Sequence, residues 1–327
     1  MVFYNDKLKL VSFPKAFKAI GLSPRMSTFE KSTNNMENYI KLVSPEGRLN
    51  IDLCSPGTYY QGTRFDWSGV FRRIIFDEVM YADEWFEGKT EFSHDHVCGP
   101  SEEFAGSVGY DEAGREGLFL KIGVGLLERD SCEAYDAFHL YKIADGGEWT
   151  VRHDSHCATF KQELARQYGY EKTIRISDED SFEIMHKLTN TGSKILSTSN
   201  YCHNFFNIAG KATGPESSIE LDFHPEGKWR ENAICGYVSG NSFRFDGMMP
   251  AGRNTYLGEI YPPAGKEGYD VTINGLNGKR KVVISCDRPA SMWVFWANSR
   301  VATPEPYIRL EAEPGQTLEW TTTYRLI

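Results

Sequence analysis

The chain has 327 residues, 40% of them hydrophobic and 13% aromatic, which suffices for a sizeable core and argues against disorder. A net charge of −9 argues against nucleic acid or an anionic membrane as partner, because both need a basic footprint. No apolar run approaches the roughly 20 residues that span a bilayer, and the length suits two average domains or one large all-β domain.

Residues 1–37 have mixed periodicity, and the first 25 of them carry Lys7, Lys9, Lys15, Lys18 and Arg25 against a lone Asp6. They lack the apolar centre of a secretory signal and read as an N-terminal extension, with a mitochondrial-type presequence as the alternative. The seven cysteines are scattered and form no Cys-x-x-Cys pair, so free thiols in a reducing compartment, the cytoplasm, are expected. From Tyr39 the pattern becomes β-like. Residues 39–43 and 49–53 alternate around the Pro45-Glu46-Gly47 turn and predict a hairpin. Strands are expected over 117–127, 137–143, 150–160, 170–176, 182–188, 218–223, 281–286, 292–297 and 317–326. Short helical turns are expected at 83–87 and 101–104. Many short strands with turn signals between them predict a large antiparallel β-sandwich, with residues 38–327 as one domain.

The most informative stretch is Asn200-Tyr201-Cys202-His203-Asn204-Phe205-Phe206-Asn207-Ile208. On a strand, Tyr201, His203 and Phe205 share one face. A titratable ring among aromatics and beside an amide, Asn204, suits proton transfer to a bound polar ligand, although a satisfied core histidine fits the same pattern. Between Gly62 and Gly69 stand Arg64, Asp66 and Trp67, fit either for holding a sugar or for an ion pair under a turn. His94 and His96 share a face without an evident third ligand, so no metal is expected; His94 reads as exposed loop, and His96 and Glu103 as cleft residues. Asp270 opens a strand after a turn. Glu305 lies between Pro304 and Pro306, which remove two amide donors and hold its carboxylate rigidly, as a surface turn or as the partner of His203. Gly123-Val124-Gly125 sits in a strand-like run and lacks the rest of a dinucleotide fingerprint, and Walker and nucleophile-elbow motifs are absent.

With these residues in view, the chain resembles the aldose 1-epimerase (galactose mutarotase-like) family. The Asn200–Ile208 strand is similar to that family's His-bearing strand, and Asn190-Thr191-Gly192 to the turn before it. Pro314-Gly315 followed by Thr321-Thr322-Thr323-Tyr324 is similar to the family's closing turn and strand. The resemblance implies a galactose mutarotase-like supersandwich over residues 38–327, a small sugar as ligand and no cofactor. It implies His203 as general acid, Glu305 as base, and Arg64, His96 and Asp270 as sugar-binding residues; Glu103, a cleft candidate, and Asn204, the amide beside His203, are expected to bind substrate with them, in a monomer or homodimer. Glu305 is then expected ionised and His203 protonated near neutral pH. The family's Gly-Arg-x-x-Asn-Arg motif is missing, so the chain reads as a divergent member. A non-catalytic carbohydrate-binding protein and a hexose-6-phosphate epimerase are the alternatives on the same fold.

Overall fold

The computed structural model describes residues 39–327; the expected N-terminal extension, residues 1–37, lies outside the described residues. Alternating β-branched and aromatic residues fold here into four antiparallel sheets. The largest has ten strands, from Gly236–Ser239 at one edge to Glu148–His153 at the other. Its centre is built from Tyr168–Asp178, Ser181–Asn190, Thr317–Leu326 and Arg280–Cys286. The second has six strands in the order Lys228–Trp229, Asn254–Ile260, Met292–Asn298, Ala302–Ala312, Leu196–Phe205, Gly99–Ala105. Smaller sheets of four and three strands stand beside these two. The result is an all-β antiparallel sandwich. Among the described residues no helix is long and apolar enough to cross a membrane.

Period two decides which face each residue takes. In the strand Ser181–Asn190, Phe182, Ile184, His186, Leu188 and Asn190 are buried. Their cross-strand partners Tyr324, Thr322, Trp320 and Leu318 are buried on the same face. In Leu196–Phe205 the alternation is masked because Asn200 to Phe205 are all buried. Cys202 and Asn204 turn to the ten-stranded sheet, where the Tyr324 hydroxyl donates to Asn204 Oδ1 at 3.0 Å. Tyr201, His203 and Phe205 face the other way and are covered by the segment that carries Phe65 and Trp85, whose ring stacks on Phe205 at 4.8 Å.

Five expectations are corrected. Residues 83–87 are irregular loop after the strand Val79–Ala82, not a helical turn. Residues 101–104 are not a helical turn but the middle of the strand Gly99–Ala105, because pairing with Leu196–Phe205 outweighs local preference. Residues 117–127 form a hairpin, Leu118–Lys121 with Gly125–Glu128, so Gly123 lies in a turn, with φ +79°. A Cβ there would come 2.4 Å from Asp66 Oδ1, so close approach of the two loops requires glycine. Residues 150–160 are two strands that turn at Asp154, whose carboxylate accepts from the His156 and Cys157 amides. Of 137–143 only Ile143 is in a strand; the rest is loop, tied to Thr63, whose hydroxyl bonds the His139 carbonyl and accepts from the Tyr141 amide.

Candidate active site

The two prolines that flank Glu305 lie in the interior of a central strand, Ala302–Ala312, rather than in a surface turn. A proline there donates nothing to a neighbouring strand. Accordingly, the ladder to Leu196–Phe205 runs from Leu196–Ala312 and ends at Tyr201–Tyr307, just before Pro306. The Asn204 side chain takes over, donating to the Pro304 carbonyl at 2.9 Å. Continuing the register of Asn200–Ile308 and Tyr201–Tyr307 by two residues sets His203 opposite Glu305. Their side chains meet, His203 Nε2 to Glu305 Oε1, at 3.1 Å.

Both partners are only 5% exposed. The His203 ring stacks on Phe205 at 3.9 Å and meets the edge of Trp296 at 5.5 Å. Burial pushes the imidazole well below its ordinary value, and the nearby charges of Arg64 and His94 push it further down. Burial likewise pushes the Glu305 carboxyl up to about 8; Arg64 and Arg230 oppose this and Glu103 adds to it. At neutral pH the pair is therefore a carboxylic acid bonded to a neutral imidazole. Both shifts run opposite to the expected charge state: burial favours the proton on Glu305 over His203. The number of protons held by the pair is nonetheless one, as an acid and a base acting together require.

Beside the pair, Glu103 gathers three donors. Arg64 Nε donates to its carboxylate at 2.7 Å and Lys121 Nζ at 2.9 Å, and the Tyr201 hydroxyl donates as well. Arg64 Nη2 donates in turn to the Tyr201 hydroxyl at 2.8 Å, which fixes the guanidinium at two points. Its flat faces lie against Phe65 and Phe138, with the Phe138 ring exposed. Tyr307 stacks on Tyr201 at 4.3 Å, adding a second aromatic beside Glu305. The arrangement is a buried proton pair floored and walled by aromatic rings, with a guanidinium held at one end.

Of the residues singled out from the sequence, the structure brings His203, Glu305, Arg64 and Glu103 together. Glu103 is fully engaged and reaches the site through Arg64. Asn204 lies on the opposite face, in the core, where it completes the strand pairing. Asp270 lies exposed on Tyr269–Gly275 of the ten-stranded sheet, its side chain opposite to that of buried Val271, so it does not join the group. His96 packs against Tyr59 and Phe86, and it is His94 that feels the charge of Arg64 and acts in turn on His203. Lys121 and Tyr307 were missed: Lys121 sits in a distant hairpin, whereas the two-residue offset of Tyr307 from Glu305 was a usable signal.

Behind the site, Glu102 points from the same strand into the sandwich. It meets Lys172 Nζ at 2.7 Å and His186 Nε2 at 2.8 Å, and Lys172 also reaches Asp66 at 3.3 Å. His186 stacks on Trp320 at 4.4 Å. Burial raises the Glu102 carboxyl, but His186 and Lys172 more than reverse this and hold it at about 2. The Asp66 amide donates to the Glu102 carbonyl, so this network ties the Arg64 loop to the Glu103 strand.

No family model matches the chain, and no curated protein does. Solved structures do match. An aldose epimerase homologue from C. elegans aligns over 89% of this chain and 98% of its own, at TM-score 0.57 and 12% identity. A galactose mutarotase-like protein from Lactobacillus casei covers 89% of this chain and 100% of its own, at 0.56 and 10%. Another from Clostridium acetobutylicum covers 88% and 95%, at 0.56 and 12%. The chain has the galactose mutarotase-like sandwich fold.

Proposed function

We propose that the chain is an aldose 1-epimerase-like mutarotase, which interconverts the anomers of a sugar by acid–base ring opening at His203 and Glu305. The observation that carries this reading is the buried cross-strand pair of His203 and Glu305, 3.1 Å apart. A pyranose presents two oxygens on its anomeric carbon, the ring oxygen and the anomeric hydroxyl, and these take the place of the direct contact. The resemblance assigns His203 as acid and Glu305 as base, which the resting pair reaches by passing its proton from carboxyl to imidazole. His203 then protonates the ring oxygen while Glu305 removes the hydroxyl proton; the bond between anomeric carbon and ring oxygen breaks and an open-chain aldehyde forms. The carbonyl turns about its bond to the next carbon. Reclosure on the other face returns both protons, leaving the pair as it began.

Arg64, held by Glu103 and Tyr201, hydrogen-bonds a sugar hydroxyl on this reading, and the exposed ring of Phe138 stacks on the sugar's apolar face. Residues 38–327 are the catalytic domain, working without a cofactor in the cytoplasm as a monomer or homodimer. Polarimetry on freshly dissolved aldoses, uronic acids and hexose 6-phosphates tests the proposal. Accelerated approach to the anomeric equilibrium for at least one of them supports it. Binding without acceleration of any sugar refutes it and leaves a carbohydrate-binding protein.

A further inference from the structure

The site face of the six-stranded sheet carries a second arginine. Tyr256, in Asn254–Ile260, is the register partner of Trp296, so both share the face of Glu305. The guanidinium of Arg230 lies over the Tyr256 ring at 4.0 Å, and the Arg230 amide donates to the Tyr256 carbonyl at 3.2 Å. Ring and main chain thus hold this arginine, yet it is exposed and has no carboxylate within ion-pairing distance among the described residues. Glu259, on the same strand as Tyr256, is taken by Lys228 at 3.5 Å. At the other end of the face, Arg64 and Lys121 share a single carboxylate, Glu103. Two cation-bearing ends therefore flank the pair in a chain whose net charge is −9.

Two strand spacings, roughly 10 Å, separate the Glu305 strand from the Tyr256 strand. That span suits a pyranose whose anomeric carbon sits at Glu305 and whose exocyclic substituent points along the sheet. We infer that Arg230, seated on Tyr256, recognises an anionic exocyclic group, so that the site takes a sugar bearing a phosphate or a carboxylate. The inference rests on the proposed mutarotase site for its orientation. A planar guanidinium can bond both oxygens of either anion, and stacking on Tyr256 sets its plane in advance.

The test measures calorimetric binding and NMR anomer exchange for glucose, galactose and mannose, their 6-phosphates, glucuronate and galacturonate. Wild type is compared with Arg230→Gln, Arg230→Lys and Lys228→Gln; the last removes one positive charge from the same edge. We expect wild type to bind one of the anionic sugars about tenfold more tightly than its neutral parent. Arg230→Gln erases that ratio, Arg230→Lys retains part of it, and Lys228→Gln leaves it intact. Whether the phosphates or the uronates show the ratio identifies the anion. Equal binding of charged and neutral sugars, no binding of any anionic sugar, or loss of the ratio in Lys228→Gln as well overturns the inference. Exchange of neutral aldoses alone overturns it too, while leaving the mutarotase reading standing. Arg230-dependent binding with no exchange does the reverse.

Discussion

Replacing Glu305 by Gln should stabilise the protein while removing the proposed anomer exchange. The wild-type carboxyl is pushed from 4.5 up to about 8 by burial, so the folded state holds a proton that the unfolded chain has released. A group raised in this way contributes its full stability below its unfolded value and loses it as pH climbs to the folded one. At about 1.4 kcal/mol per pH unit, raising the pH from 5 to 8 costs wild type roughly 4 kcal/mol through this one group. Glutamine imitates the protonated carboxyl, since its amide can donate to His203 Nε2 across the same 3.1 Å contact, and it does not titrate. The titration of His203, pushed down by burial in both proteins, largely drops out of the difference. Urea unfolding of both proteins at pH 5, 6, 7 and 8 is the assay. The variant should match wild type at pH 5 and exceed it by about 3–4 kcal/mol at pH 8. A stability difference that stays flat across this range would refute the reasoning about the pair.

Other outcomes follow from the same geometry. Anomer exchange should fall above about pH 8, where Glu305 loses the pair's only proton, and a pH–rate profile reads this directly. Glu103→Ala leaves Arg64 and Lys121 buried without their carboxylate and should cost roughly 3–5 kcal/mol in urea unfolding. Lys172→Met removes one of the two groups that hold Glu102 at about 2. Wild type keeps that stabilisation above about 4.5 and loses it as pH falls toward 2, so the variant should unfold at a higher pH in an acid titration followed by circular dichroism. Phe205→Ala takes away the ring stacked on His203 and should cost about 3–5 kcal/mol, with exchange slowed even under conditions where the variant is folded.

Much of the sandwich was legible because alternation survives wherever a strand has one buried face. The strands around 182–188 and 317–326 are examples. His203 was legible for a further reason, since period two placed Tyr201 and Phe205 beside it before any contact was known. Glu305 was found through its prolines, but their setting was not legible: nothing local says that two prolines can occupy a central strand when an asparagine from the next strand bonds the carbonyl left over. Residues 101–104 have the composition of a turn and become a strand only through pairing 100 residues away. Asp270 has the surroundings of a binding carboxylate in sequence and lies on the other sheet in space. The direction in which the pair's proton is pushed was beyond the sequence altogether, because it follows from the burial of both partners, His203 among the rings of Phe65, Phe205 and Trp296.

NMR saturation transfer between the α and β anomeric signals measures the proposed proton-coupled anomer exchange at His203 and Glu305. The measurement uses the eight sugars named above with wild type, Glu305→Gln and His203→Asn, each first shown to be folded. Saturation transfer is expected with wild type for at least one sugar, and none above the spontaneous rate with either variant, even where that sugar still binds. Exchange that persists in Glu305→Gln or His203→Asn, or wild type that binds a sugar without transferring saturation between its anomers, would contradict the proposal.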